Sequence, residues 1–142
     1  MPFAVQVIPN ADLIVCFGGG HLLPQEIFDA IVDAKREDQF RPGMDRLILW
    51  DETTDVSNFN IKTLSDLKSA VEDAERQGLD APIRFKSAMV CPSVMLEIWV
   101  KLYGALWQAD GVETVRFQVF HELADALQWL ERPDFSVPAR PF

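Results

Sequence analysis

Three consecutive glycines in the stretch CFGGGHLLPQE, Cys16 to Glu26, stand between an apolar run and an expected helix start. A corner of that kind can cradle a phosphate on backbone N–H groups. A dinucleotide fingerprint needs G-x-G-x-x-G, but Gly18, Gly19 and Gly20 are followed by His21, Leu22 and Leu23, with no third glycine at the helix. A Walker loop needs Lys followed by Ser or Thr, and neither is present there. The glycines read as a corner between strand and helix, permitted by their freedom to take positive φ.

The second polar constellation is DETTDVSNFN, directly after the apolar run LILW. In α/β sheets ligands gather at the carboxyl ends of strands, which makes Asp51, Thr53, Thr54 and Ser57 candidate binding residues. The same residue types also tie up loop amides and cap helices wherever a strand hands over to a helix. Catalysis finds less support. His21 and His121 are the only histidines, and no HxxE or HExxH spacing suggests a metal. Cys16 and Cys91 lie in or beside apolar runs with no CxxC partner, so they read as buried free thiols. No catalytic residue, metal or cofactor is expected.

Composition narrows the partners. With 142 residues, 49% hydrophobic and 25% charged, the chain is long enough for one domain with a real core. The net charge of −9, with no basic stripe, argues against nucleic acid. No apolar run approaches the ~20 residues of a membrane span, so stable membrane insertion is not expected. MPFAVQVIPN has no basic lead, and a cytoplasmic location is expected. The acidic residues Asp29, Asp33, Glu37, Asp38, Glu72, Asp73 and Glu75 read as solvated helix faces.

The elements that must position these groups follow from periodicity. FAVQVI (Phe3 to Ile8) alternates as a half-buried strand, and PNAD turns the chain into LIVCF (Leu13 to Phe17), predicting a hairpin. A first helix begins at Pro24, with Ile27, Phe28, Ile31 and Val32 at helical spacing. LILW (Leu47 to Trp50) reads as a strand buried on both faces. A second helix is expected from about Ile61 to Gln77, ended by Gly78. Then follow a strand at Ile83 to Val90, a third helix at Val94 to Gln108, a strand at Thr114 to Phe120 and a helix at His121 to Leu130. Strands alternating with crossover-length helices predict an α/β fold: a mostly parallel, mixed central sheet of about five strands with about four helices.

This order resembles the STAS-like proteins of the SpoIIAA type, relatives of the anti-sigma-factor antagonists. The likeness is carried by LIVCFGGGHL, by LILWD and above all by VRFQVFHELADALQWL, with Ala126, Leu127, Trp129 and Leu130 as its closing pattern. It implies a STAS-like domain over residues 1–131, followed by an irregular proline-rich tail at 132–142. In the sporulation regulators a serine near the start of the following helix is phosphorylated, and the added charge breaks a complex. Here the family's acid-serine pair falls near Asn60 and Ile61, and isoleucine takes no phosphate. Ser57, Thr53 and Thr54 remain as acceptors by displacement.

The third helix carries the most apolar surface. Val94, Met95, Leu96, Ile98, Trp99, Val100, Leu102, Tyr103, Ala105, Leu106 and Trp107 cover roughly 240° of it, well beyond the ~100° stripe a helix on a sheet needs. Met95, Trp99, Leu102 and Leu106 form the centre of the stripe and are expected to face the sheet. Leu96, Val100, Tyr103 and Trp107 then form a flank. Three occupants compete for it: the first helix or the tail, a homodimer or other protein partner, and a small apolar ligand or lipid headgroup. The expectation is a non-enzymatic binding domain acting on a protein partner or its own copy through Asp51, Thr53, Thr54, Ser57, Leu96, Trp99, Val100, Tyr103 and Trp107. On that reading Trp107→Glu abolishes association. The alternative is a carrier or sensor of a small apolar molecule held between the second and third helices near Trp50, Trp99 and Tyr103.

Overall fold

A computed structural model describes residues 3–76, 83–109 and 115–142. Five strands form one sheet in the order β1(Phe3–Ile8), β2(Leu13–Gly18), β3(Asp45–Trp50), β4(Phe85–Val90), β5(Val115–Phe120). The first pair is an antiparallel hairpin turned by a short 3-10 segment at Pro9–Ala11, and the remaining pairs are parallel. Four helices complete the α/β fold: α1(Pro24–Lys35), α2(Ile61–Arg76), α3(Val94–Ala109) and α4(Leu123–Trp129). The expected helix stop at Gly78 and the expected strand start at Thr114 lie outside the described residues.

The layering follows from the strand order. Because β2 to β5 add in one direction, right-handed crossovers place successive helices on the same side of the sheet. Residues of α1, α2 and α3 accordingly pack over one face, against Ile14 and Cys16 of β2, Ile48 and Trp50 of β3 and Met89 of β4. Among the described residues no strand pairs onto β5 after α4, and α4 is not a crossover between two of these strands. It packs instead on the opposite face, against Leu13, Val15, Phe17, Leu47 and Ala88, and the tail residues Phe135 and Val137 join it there.

Arg132 secures the start of the tail. It donates to the carbonyls of Ala11 (2.7 Å), Asp12 (3.0 Å) and Leu130 (2.7 Å) and to Asp45 Oδ2 (2.9 Å). One guanidinium thus joins the hairpin turn, the start of β3 and the end of α4. Further along, Arg140 donates to the Gly18 carbonyl at 3.2 Å.

Two expectations are corrected. The central strand is longer than LILW, beginning at Asp45, and only Leu47 within it is fully buried. Ile48 and Trp50 look into a space that the helices do not fill.

The orientation of α3 differs more. Leu96, Val100, Gly104 and Trp107 are the buried positions, and Trp107 has no exposed surface. Met95 (71% exposed), Ile98 (51%) and Leu102 (38%) face outward. Gly104 belongs to the buried face and lies on the sheet side, where a Cβ would meet Phe117 at ordinary contact distance. Trp107 then fits among Phe85, Tyr103 and Phe117, with ring centroids 5.7 to 6.5 Å away. Placing the glycine among the polar positions turns the stripe away from its true centre. Neither α1 nor the tail covers Leu96, Val100 and Trp107; the sheet does.

Candidate functional site

The glycine corner is shaped by its neighbours across the sheet. Gly18 pairs with Trp50 in the β2–β3 register, and the indole occupies the space a Cβ at residue 18 would need. A Cβ at residue 19 would collide with the Asp51 carboxylate. Gly20 takes φ 66°, the left-handed region that favours glycine. The corner is a close-packing device.

The polar loop after β3 closes onto that corner. Asp51 Oδ1 accepts from the Thr53 N–H (2.9 Å) and hydroxyl (2.5 Å), and Thr53 Oγ1 in turn accepts the Gly20 N–H at 2.9 Å. The Thr54 hydroxyl donates to the Asp51 carbonyl at 2.8 Å. Asp55 bridges in parallel to His21, accepts the Ser57 N–H at 2.9 Å, and its carboxylate lies 2.9 Å from His21 Nδ1. The His21 hydrogen bond, followed by that of Ser57, holds the Asp55 carboxyl down at about 2. Asn60 caps α2 by accepting the Thr63 N–H at 2.9 Å. Asp51, Thr53 and Thr54 are therefore engaged in joining two loops, and the Ser57 amide is tied to Asp55 within its own loop.

The other candidates come together beneath the helices. Between the sheet and α1, α2 and α3 lies an apolar cavity of about 150 Å³. Trp50, Leu96, Trp99, Val100 and Tyr103 all line it, whereas Trp107 does not. Val56 and Phe59, from the loop before α2, lie along its wall. The sequence explains why the space exists. On β4 the cavity-facing positions are Phe85, Ser87 and Met89, a one-carbon side chain between two long ones, and Ala34 and Ala74 line the same space from α1 and α2. Small residues along a wall leave depth that larger ones would fill.

Unfilled, such a space is costly. At ~24 cal/mol per Å³, a sealed and empty space of 150 Å³ would forfeit roughly 3–4 kcal/mol of packing, the ceiling for this one. That is a sizeable share of the ~5–15 kcal/mol by which domains are stable.

Polar atoms interrupt the apolar lining at a few points. Among the described residues Arg46 Nη1, Ser87 Oγ and Trp50 Nε1 are buried without a hydrogen-bond partner, and all three residues line the cavity. Each unmet buried group costs about 1–3 kcal/mol. Arg46 is held by Glu75, whose side chain is 1% exposed and which also accepts the Gly43 N–H at 2.7 Å. Glu75 is thus a buried ion-pair partner, contrary to its reading as part of a solvated face. Burial pushes the Cys16 and Cys91 thiols and the Tyr103 phenol each up to about 12, so none of them ionises near neutral pH.

Arg46 and Ser87 are the site residues that sequence reasoning missed. A signal was present: in FKSAMV, strand alternation sets Ser87 on the same face as Phe85 and Met89, an inward polar residue with no stated partner.

A wider depression, about 330 Å³, lies between α3 and β5. Its charged groups Glu97 and Lys101 pair with each other at 3.1 Å. Among the described residues no three His, Cys, Asp or Glu side chains gather as a metal site, and no helix is long and apolar enough to cross a membrane. Comparison with protein-family models, curated proteins and solved structures finds no match to this chain, so the functional reading rests on geometry.

Proposed function

We propose that this chain is a non-enzymatic binding domain, STAS-like in the sense of the resemblance above, whose occupant is a small, largely apolar molecule seated between the sheet and α1 to α3. The observation that carries this is the 150 Å³ apolar cavity, a volume comparable to one known to stay dry and take up benzene. Filling it returns packing energy otherwise forfeited. Recovering about 4 kcal/mol corresponds to roughly millimolar affinity for a bare hydrocarbon, and a better-fitted ligand binds more tightly.

Trp50 and Trp99 line the cavity and report on its contents. Benzene or styrene near saturation is expected to raise the melting temperature, since a ligand that binds only the folded state stabilises it, and to change tryptophan emission. Native mass spectrometry of freshly purified protein is the companion measurement for a retained occupant. Unchanged melting and emission with every small arene tried would end this reading.

A protein partner or second copy is the other reading, and a different surface favours it. Val94 (70% exposed), Met95, Ile98 and Leu102 form an outward apolar stripe on α3. Such a patch, with Met among its members, suits an interface. Trp107→Glu does not test it, because Trp107 is buried and its loss would damage the core. Ile98→Glu does. Association predicts a mass that rises with concentration in the wild type and stays monomeric in the variant; a monomeric wild type at all concentrations counts against it.

A further inference from the structure

The polar end of the cavity indicates what chemistry its occupant carries. Arg46 and Ser87 are direct partners in the parallel β3–β4 register and therefore project side by side from adjacent strands, roughly 4.8 Å apart. The Arg46 guanidinium is fixed in place, with Nη2 donating to Glu75 Oε1 and Cζ 3.8 Å from the centroid of the Phe85 ring. Nη1 is left over, buried without an acceptor among the described residues, and the hydroxyl of Ser87, the register partner of Arg46, is likewise buried and unpartnered there.

Charge decides between the ligands this pair could take. Arg46 is the only charged residue among the described residues that line the cavity, and Glu75 already balances it. The nearby buried Lys68 is paired with Glu72 at 2.6 Å. A carboxylate placed here would add an uncompensated negative charge in a low-dielectric site, which is strongly disfavoured. A carbonyl or ether oxygen would satisfy both donors and add no charge.

Resting on the cavity reading above, we infer that the occupant is an uncharged molecule with an apolar body and a hydrogen-bond acceptor oxygen, such as a ketone, ester or ether. Arg46 Nη1 and Ser87 Oγ receive that oxygen, and the apolar remainder lies along the face formed by Ile48, Met89 and Trp99.

The test uses three probes of nearly the same shape: acetophenone, α-methylstyrene and benzoate. Affinities are measured by titration calorimetry on the full chain and on Ser87→Ala, which removes one oxygen and leaves the Arg46–Glu75 pair intact. Acetophenone is expected to bind wild type about tenfold more tightly than α-methylstyrene, the advantage of a hydrogen bond to a charged donor. Ser87→Ala should shrink that preference about threefold or more while leaving α-methylstyrene binding unchanged, which also shows that the variant is folded. Benzoate should bind most weakly. Equal binding of acetophenone and α-methylstyrene would overturn this inference and leave the cavity reading standing. Benzoate binding most tightly would overturn the assignment of an uncharged ligand. Failure of all three to bind would remove the cavity reading itself.

Discussion

The indole of Trp50 lies against the backbone of Gly18, its partner across the β2–β3 pair, in the space where any other residue would carry its Cβ. The contact joins the end of the sheet to one wall of the cavity. Gly18→Ala is therefore expected to push the ring aside and cost about 1–3 kcal/mol by overpacking. Urea denaturation measures the loss, and altered tryptophan emission locates it. Wild-type stability together with unchanged emission would show that the ring does not depend on the glycine.

Glu75 and Arg46 form a buried pair, and removing one member strands the other. Glu75→Gln is expected to destabilise the fold by about 3–5 kcal/mol, while Arg46→Met combined with Glu75→Leu should recover most of that, because apolar replacement of a buried pair is often neutral or better. Chemical denaturation of the single and double variants checks both. A double variant as unstable as the single would mean that the guanidinium also holds the fold through other contacts.

Asp55 titrates at about 2, below its ordinary 3.8. A folded value below the unfolded one means that the carboxylate stabilises the fold above pH 3.8, and that this contribution is lost as pH falls through about 2. His21→Ala removes the largest cause, so the Asp55 value should rise toward 3.8, remaining somewhat below it because the Ser57 N–H still donates. Carboxyl NMR titration reads this directly. An unmoved Asp55 would show that His21 does not hold it.

Helix α4 ends in a Schellman turn, with the Arg132 N–H reaching the Leu127 carbonyl at 2.9 Å and the Glu131 N–H reaching Gln128 at 3.0 Å. Glu131 occupies the left-handed position at φ 63°, where glycine is usual. Glu131→Gly is expected to raise stability by about 0.5–1 kcal/mol, seen as a higher denaturation midpoint. A lower midpoint would mean that the side chain contributes more than its backbone conformation costs.

Cys16 and Cys91, both buried with their thiols up at about 12, should resist iodoacetamide in the native protein at neutral pH and react once it is unfolded. Mass spectrometry counts the adducts. Rapid native labelling of Cys16 would show that reagent enters the cavity it lines.

Much of the architecture was legible because it depends on local periodicity. The alternation in Phe3–Ile8, Pro24 at the start of α1 and the helical spacing from Ile61 onward each act within a few residues, and each element appears where those patterns place it. The mixed sheet followed from the alternation of strand and helix. The side of α3 that meets the sheet was not legible, since apolar residues cover most of its circumference. Gly104, on the sheet side beside Phe117, belongs to the face that is buried.

The α/β order, the hairpin and the misfit of the glycine corner to both phosphate-loop patterns can be read from spacing along the chain. The pairing of Ser87 with Arg46, the inward turn of Glu75 to meet that arginine and the packing of the tail on the face opposite α3 emerge in three dimensions. Strand register and helix rotation bring together residues 41 positions apart in the chain. A cavity arises from what such neighbours fail to fill, and no single segment of sequence encodes that.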